Sequence, residues 1–221
     1  MNRIYVPTTD VEDWKQRLKK PELHGKEGHS AMLLADAWQS ANGFPRAVSD
    51  VLTSAEAPLP SLVPLLILPE HKVALPGGLA ASQSDIWVLA SHAFGLASIT
   101  VEGKVSESFG ETLGKWLTDP SGGKLHRLEF MTHLLGLSAT LPDSTRYQLI
   151  HRLASAILEA KRFHANVALC LVESFSAADE GFTSFQEFCG LFGKQPKTGE
   201  VVQLGRHEGI TFYAGWVCHH P

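Results

Sequence analysis

The stretch that decides the fold is SQSDIWVLASHAFGLASITVEGKV, residues 82–105, in which two apolar runs flank a short turn. Apolar runs rich in β-branched and aromatic residues, joined by a few turn residues, are typical of a β-hairpin. We therefore predict strands over 84–90 and 96–103. Three charged residues interrupt these strands: Asp85, Glu102 and Lys104. Such charges either form a salt bridge at exposed strand ends or belong to a site.

The register of this hairpin brings the three charged side chains together. Residues that face each other in an antiparallel hairpin have numbers with a constant sum, so a turn centred between Ala93 and Phe94 places Asp85 opposite Glu102. Facing residues point to the same side, with Cα atoms about 4.5–5.5 Å apart. Lys104 lies two residues beyond Glu102 and shares that side. Facing carboxylates repel each other, and a divalent cation, which binds carboxylate oxygens, would offset the repulsion.

The rest of the chain predicts one α/β domain over residues 1–221, built around a mixed sheet. A continuous apolar run predicts a buried strand over 62–68 that ends in a loop at Pro69. The longest periodic stretch predicts a helix over 143–163, capped by Asp143 or Ser144. The apolar stripe of this helix is Tyr147, Ile150, Ala154, Ile157 and Ala160. The other predicted elements are a short N-terminal helix, helices at 30–41, 44–54, 124–137 and 181–193, a strand at 167–173 and a closing hairpin at 200–217.

Composition limits the classes of function. The chain has 221 residues, 44% of them hydrophobic, and no apolar run of the roughly 20 residues that span a bilayer, so we expect no membrane partner. Three cysteines without a C-x-x-C pair, and a start unlike a signal peptide, favour the cytoplasm. A net charge of −4 provides no global basic field for nucleic acid. The eleven histidines show no spacing typical of a zinc site.

The spacing of the charged hairpin residues resembles that of the PD-(D/E)XK nuclease superfamily. The matching residues are Ser84–Asp85 and the VEGK segment at 101–104, although no proline precedes Asp85 as it often does in that superfamily. The predicted order of helix, three strands, helix and strand is also similar to the αβββαβ core of these nucleases. The resemblance covers about residues 30–175 and implies a restriction-endonuclease-like fold with extra helices and a C-terminal hairpin.

The resemblance also implies an activity. A protein of this kind would hydrolyse a phosphodiester of nucleic acid, most readily DNA, with Mg²⁺ or Mn²⁺. Asp85 and Glu102 would hold the metal ion, with the carbonyl of Gly103 as a further ligand. Lys104 would position or activate the attacking water.

Two neighbouring helices could add further residues to such a site. Some superfamily members carry a metal-binding acid on the first helix, and here Glu27 or Asp36 could correspond. Others place a glutamine on the helix after the third strand, where this chain has a polar stripe. We expect Gln148 and Arg152 of that stripe in the site, the alternative being an ordinary solvated helix face. The full stripe is Gln148, His151, Arg152 and Ser155.

Two alternatives to an active nuclease stay open on the sequence. The acidic net charge favours a catalytically inactive nuclease-fold module that binds nucleic acid or a protein partner. In the other alternative the charged hairpin residues are purely structural. A second cationic group either contacts phosphate or is a solvated surface, and the surface is the favoured interpretation: Lys115, Lys124, His126 and Arg127.

Overall fold

The computed structural model describes residue 4 and residues 10–16, 29–41, 43–56 and 58–219. None of the helices within these ranges has the length and apolar character needed to cross a membrane. The helices are α1 (Val11–Lys15), α2 (Ser30–Ala41), α3 (Arg46–Ser54), α4 (Leu113–Trp116), α5 (Gly122–Leu135), α6 (Tyr147–Arg162) and α7 (Phe182–Gly190). The strands are β1 (Val63–Val73), β2 (Ser82–His92), β3 (Gly95–Lys104), β4 (Val167–Ser174), β5 (Val201–His207) and β6 (Ile210–Cys218).

The six strands form one mixed sheet in the order β1-β2-β3-β4-β6-β5. Strands β1, β2 and β3 are antiparallel neighbours, whereas β4 is parallel to both β3 and β6. The closing hairpin of β5 and β6 joins the sheet through β6. The predicted α/β class with a mixed sheet is therefore confirmed. The chain also follows the predicted order, with α2, β1, β2, β3, α6 and β4 in sequence and α4 and α5 inserted before α6.

Helices cover both faces of the sheet. Ile150, Ala154 and Ile157 from the predicted apolar stripe of α6 are fully buried in one hydrophobic cluster with residues of β4. On the other face, Leu34 and Trp38 of α2 are buried in a second cluster with residues of β2 and β3. Because α2 and α6 pack on opposite faces, the end of the sheet near their N-termini is left between them.

Strand β1 is longer than predicted, and the expected loop at Pro69 is wrong. Pro69 pairs with Ile86 and the ladder continues to Val73. A proline lacks the N–H that a central strand would need, but β1 lies at the edge of the sheet, where one side of the strand needs no partner. The next residue, Glu70, has a positive φ of 54° that re-aims the backbone locally.

Helix α6 begins at Tyr147, so the predicted caps at Asp143 and Ser144 are wrong. The backbone carbonyls of Asp143 and Thr145 instead accept hydrogen bonds from the first N–H groups of α4. Asp143 and Thr145 therefore accept hydrogen bonds at the N-terminus of α4 and do not cap α6. Arg146 precedes α6 and makes no side-chain capping hydrogen bond.

The surface interpretation of the second cationic group is wrong for Arg127, which is buried. Its guanidinium donates to the backbone carbonyls of Leu75, Pro76 and Gly78. Arg127 thus fixes the loop between β1 and β2 onto α5. Lys115, by contrast, is exposed and pairs with Glu111 on the surface.

Candidate functional site

A cleft of about 420 Å³ opens at the end of β1, β2 and β3, between the N-terminus of α2 and the first turns of α6. The five side chains predicted for the site, with Gly103, all line it: Asp85, Glu102, Lys104, Gln148 and Arg152. The other lining residues are Ser30, Ala31, Glu70, Ala81, Gln83, Glu107 and His151. The structure therefore brings the whole predicted set together in one place.

The cleft exists because β2 and β3 part at this end. Their paired residues run from His92–Gly95 to Ile86–Val101, with numbers that sum to 187, which is the predicted register. The same register would next place Glu102 opposite Asp85, and then Gly103 opposite Ser84. Instead the N–H of Gly103 donates to Oδ2 of Asp85 at 2.9 Å. The Asp85 carboxylate thus replaces a ladder partner and stands at the point where the strands separate.

Glu102 is the centre of a buried hydrogen-bond network. Its Oε1 accepts from Nζ of Lys104 at 3.0 Å and from Nε2 of Gln148 at 2.5 Å, while its Oε2 accepts from Nε of Arg152 at 2.7 Å. Burial alone would raise the pKa of Glu102, but the charges of Arg152 and Lys104 outweigh it and lower the pKa to about 2. Glu102 is therefore ionised at neutral pH.

The cations of this network are correspondingly held in their charged forms. Burial acts to lower the pKa of Lys104, yet the carboxylates of Glu102 and Asp85 raise it above its ordinary value. Arg152 shows the same balance, with its pKa raised by the same two acids against the effect of burial. Arg152 is buried and Gln148 is half-buried, and both line the cleft, so a solvated helix face is the wrong interpretation for these two residues.

Glu70 is a site residue that sequence analysis missed. The pairs on either side of it, Pro69–Ile86 and His71–Ser84, show that it faces Asp85 across β1 and β2. Burial, reinforced by the charge of Glu102 and partly offset by a hydrogen bond from Gln83, raises the pKa of Glu70 to about 7. A strand prediction that continued through Pro69 would have revealed this third carboxylate.

Among the residues that the structure describes, neither Asp85 nor Glu70 forms an ion pair with a lysine or arginine, whereas Glu102 pairs with both Lys104 and Arg152. Burial raises the pKa of Asp85 well above its ordinary value, and the charges of Glu102 and Glu70 raise it further. Two facing carboxylates with raised pKa values form a donor set that a hard divalent cation would stabilise in the ionised form.

The donor set fits a cation that keeps much of its water shell. In the described ranges, no three or more His, Cys, Asp or Glu side chains are grouped to hold a metal ion. Mg²⁺ needs fewer, because it commonly binds one or two carboxylates and retains several waters. A carboxylate offers about four lone-pair positions, and the three hydrogen bonds to Glu102 leave one of these on Oε2. The residues present therefore fit Mg²⁺ or Mn²⁺ held by two carboxylates.

Comparison with known proteins gives a family for almost the entire chain. A family model described as a domain of unknown function, DUF6946, matches residues 7–221. The chain belongs to the DUF6946 family. No curated protein and no solved structure matches it. The chemistry of this DUF6946 domain must accordingly be argued from the cleft itself.

The structure bears differently on Glu27 and Asp36, the two acids that were candidates for a metal ligand on the first helix. Glu27 lies outside the described residues. Asp36 is exposed on α2 and is not among the residues that line the cleft. The described part of α2 instead contributes Ser30 and Ala31, at its N-terminus.

Proposed function

We propose that this protein is a divalent-cation-dependent phosphodiester hydrolase that acts on nucleic acid, with DNA the favoured substrate. The observation that carries the proposal is the convergence of Asp85, Glu102 and Lys104 in one cleft, with Glu70 facing Asp85. Carboxylates beside a lysine are the combination that binds a hard cation and positions a phosphoryl group next to it.

The charge of the cleft makes a cation necessary for this substrate. Of the described residues, four acids line it, Glu70, Asp85, Glu102 and Glu107, against two bases, Lys104 and Arg152. The formal excess of two negative charges repels a phosphodiester, and a divalent cation would remove that excess. We assign the cation to Asp85 and Glu102, with the Gly103 carbonyl as a further ligand, while Glu70 adds negative charge to the same cleft. When bound, Mg²⁺ or Mn²⁺ would polarise the phosphoryl oxygen and increase the acidity of a water.

Lys104 contributes a fixed positive charge. Its Nζ is hydrogen-bonded to Glu102 and lies 3.4 Å from Oε1 of Gln148 and 5.0 Å from the centre of the Phe109 ring. Because its pKa is raised, Lys104 stays protonated at neutral pH and does not act as a base. Its role is to orient the attacking water or a phosphoryl oxygen by donating a hydrogen bond.

The test is cleavage of end-labelled DNA and RNA by the purified protein in Mg²⁺, in Mn²⁺ and in EDTA. We expect metal-dependent cleavage by the wild type and a loss of about 10²-fold or more in rate for Lys104→Ala. Lys115→Ala is the matched control, because Lys115 is exposed and is not among the residues that line the cleft; it should cut like the wild type. Absence of cleavage with both metals, or equal cleavage by Lys104→Ala, would overturn the proposal.

A second candidate function is a nuclease-like binding module without activity, for nucleic acid or a protein partner. The observation that favours it is that Lys104 and Arg152 already neutralise Glu102. A salt-sensitive mobility shift of labelled DNA without cleavage would support nucleic-acid binding alone. No shift at any salt concentration would favour a protein partner.

A further inference from the structure

His151 lies in the wall of the cleft with only one of its two ring nitrogens engaged. Its Nδ1 is 2.9 Å from Oγ of Ser82 and 3.3 Å from Nη1 of Arg152. A guanidinium has no acceptor atom. In this contact Nη1 of Arg152 is therefore the donor, and Nδ1 of His151 is the acceptor. Within the part of the chain that the structure describes, Nε2 has no hydrogen-bond partner.

The hydrogen bonds of the Ser82 hydroxyl also indicate that Nδ1 of His151 is an acceptor. Ser82 Oγ accepts from Nη1 of Arg152 at 3.1 Å, so its own proton is free to be donated elsewhere. Two acceptors are near it: Nδ1 of His151, and the His151 carbonyl at the longer distance of 3.5 Å. That carbonyl already accepts from Ser155 at 2.6 Å. The Ser82 proton is therefore donated to Nδ1, and a neutral His151 must carry its proton on Nε2.

The surroundings of His151 also keep the ring neutral and oriented. Burial, and after it the charge of Arg152, lowers the pKa of His151 to about 3, against a smaller opposite effect of Glu102. The Tyr147 ring packs against the imidazole with centroids 4.8 Å apart, and Trp116 stacks on Tyr147 at 4.2 Å. These ring contacts help to hold the imidazole in its orientation.

We infer that His151 is a neutral hydrogen-bond donor, acting through Nε2–H, and that it holds a phosphoryl oxygen of a ligand in the cleft. The tautomer follows from the contacts of Ser82 and Arg152, whereas the identity of the ligand rests on the proposed function. His151 would contact the substrate without exchanging a proton with it. A general base at this position would need the free nitrogen to be unprotonated, which the network prevents.

The first experiment reads the tautomer directly and requires no activity. Long-range ¹H–¹⁵N correlation spectra of the full chain, labelled on histidine, distinguish the two neutral tautomers and the imidazolium, and His151→Gln identifies the signal. We expect the neutral, Nε2-protonated form throughout the range from about pH 5 to pH 8, in which ordinary histidines titrate. A proton on Nδ1, or an imidazolium within this range, would overturn the inference.

The same spectra test the ligand. Addition of inorganic phosphate with Mg²⁺ should shift the Nε2–H signal of His151, and Mg²⁺ alone should not reproduce that shift. A correct tautomer without any response to phosphate would overturn the donor role. A response in a protein that cleaves nothing would keep the inference and reject the proposed function, so the two failures are distinguishable.

If the protein cleaves nucleic acid, the kinetics of His151 variants distinguish a hydrogen-bond donor from a general base. Gln at this position can place an amide N–H near the original Nε2, so His151→Gln should retain kcat/KM within about tenfold, while His151→Leu should lose about 10²-fold through loss of the donor. Unfolding curves for both variants show whether each is folded. Equal losses in the two folded variants, with loss of an ionisation from the pH profile, would identify a general base and contradict the inference.

Discussion

Glu70→Gln should stabilise the protein, and it should do so only at pH values above the ordinary pKa of a glutamate. The substitution removes the charge that faces Asp85, and its amide oxygen can still accept the hydrogen bond from Gln83. In the folded protein the pKa of Glu70 is raised from 4.5 to about 7. Each unit of difference corresponds to about 1.4 kcal/mol. Ionising Glu70 in the folded state therefore costs about 3 kcal/mol at most, since the side chain keeps some contact with solvent.

The sign of the pH dependence follows from proton binding. Between pH 4.5 and about 7 the folded wild type binds more protons at Glu70 than the unfolded chain does, so its stability falls as the pH rises through that window. The Gln variant lacks this loss. We expect the two proteins to differ little at about pH 4 and by up to about 3 kcal/mol at about pH 8. Relief of the repulsion on Asp85 acts in the same direction.

Urea unfolding in EDTA, measured across this pH range, is the appropriate assay. Glu107→Gln is the matched control at the rim of the same cleft. Burial acts to raise the pKa of Glu107, but hydrogen bonds from Ser30 and from the backbone lower it overall. Its carboxylate therefore stabilises the fold above its ordinary pKa, and its replacement should destabilise at neutral pH with an effect that fades in acid. A stability gap for Glu70→Gln that is the same at both ends of the range would refute the reasoning.

Two further substitutions test the buried polar contacts by urea unfolding at neutral pH. Arg152→Ala leaves Glu102 buried without its main counter-charge and should lower the free energy of unfolding by about 3–5 kcal/mol. The double variant Glu102→Gln, Arg152→Met should recover part of that loss. Unfolding of Arg152→Ala at the wild-type urea midpoint would contradict a stabilising role for this ion pair. Trp38→Phe removes the indole N–H that donates to Oε1 of buried Glu173 at 2.8 Å and should cost about 1–3 kcal/mol. A wild-type midpoint for Trp38→Phe would show that this hydrogen bond contributes nothing.

The elements that local sequence specified were predicted correctly. The turn between β2 and β3 lies where the pattern placed it, and the antiparallel register that follows from that turn is the one observed from His92–Gly95 to Ile86–Val101. Asp85 and Glu102 come directly after the last of these pairs, and both line the cleft. The apolar stripe of α6 likewise identified residues that the structure buries, such as Ile150 and Ile157. In both cases the signal and its consequence lie within one short segment.

The cleft depends on contacts that no short segment contains. Glu70 reaches it because β1 pairs with β2 through Pro69, and that pairing is allowed only because β1 is an edge strand. The placement of β6 between β4 and β5 could not be predicted from the sequence either, since the parallel pairing of β4 with β6 joins segments far apart in the chain. Which strand lies at an edge is a property of the assembled sheet.

Sequence alone determined the α/β class, the hairpin register and the convergence of Asp85, Glu102 and Lys104 at its open end, because periodicity and turn position act over a few residues. Only the tertiary structure decided the states of those residues. Arg152 is buried against Glu102, which keeps that acid ionised. Burial, reinforced by the charge of Glu102, raises the pKa of both Glu70 and Asp85. The physical reason is that the energy of a charge depends on the groups packed around it, and folding brings those groups from distant parts of the chain.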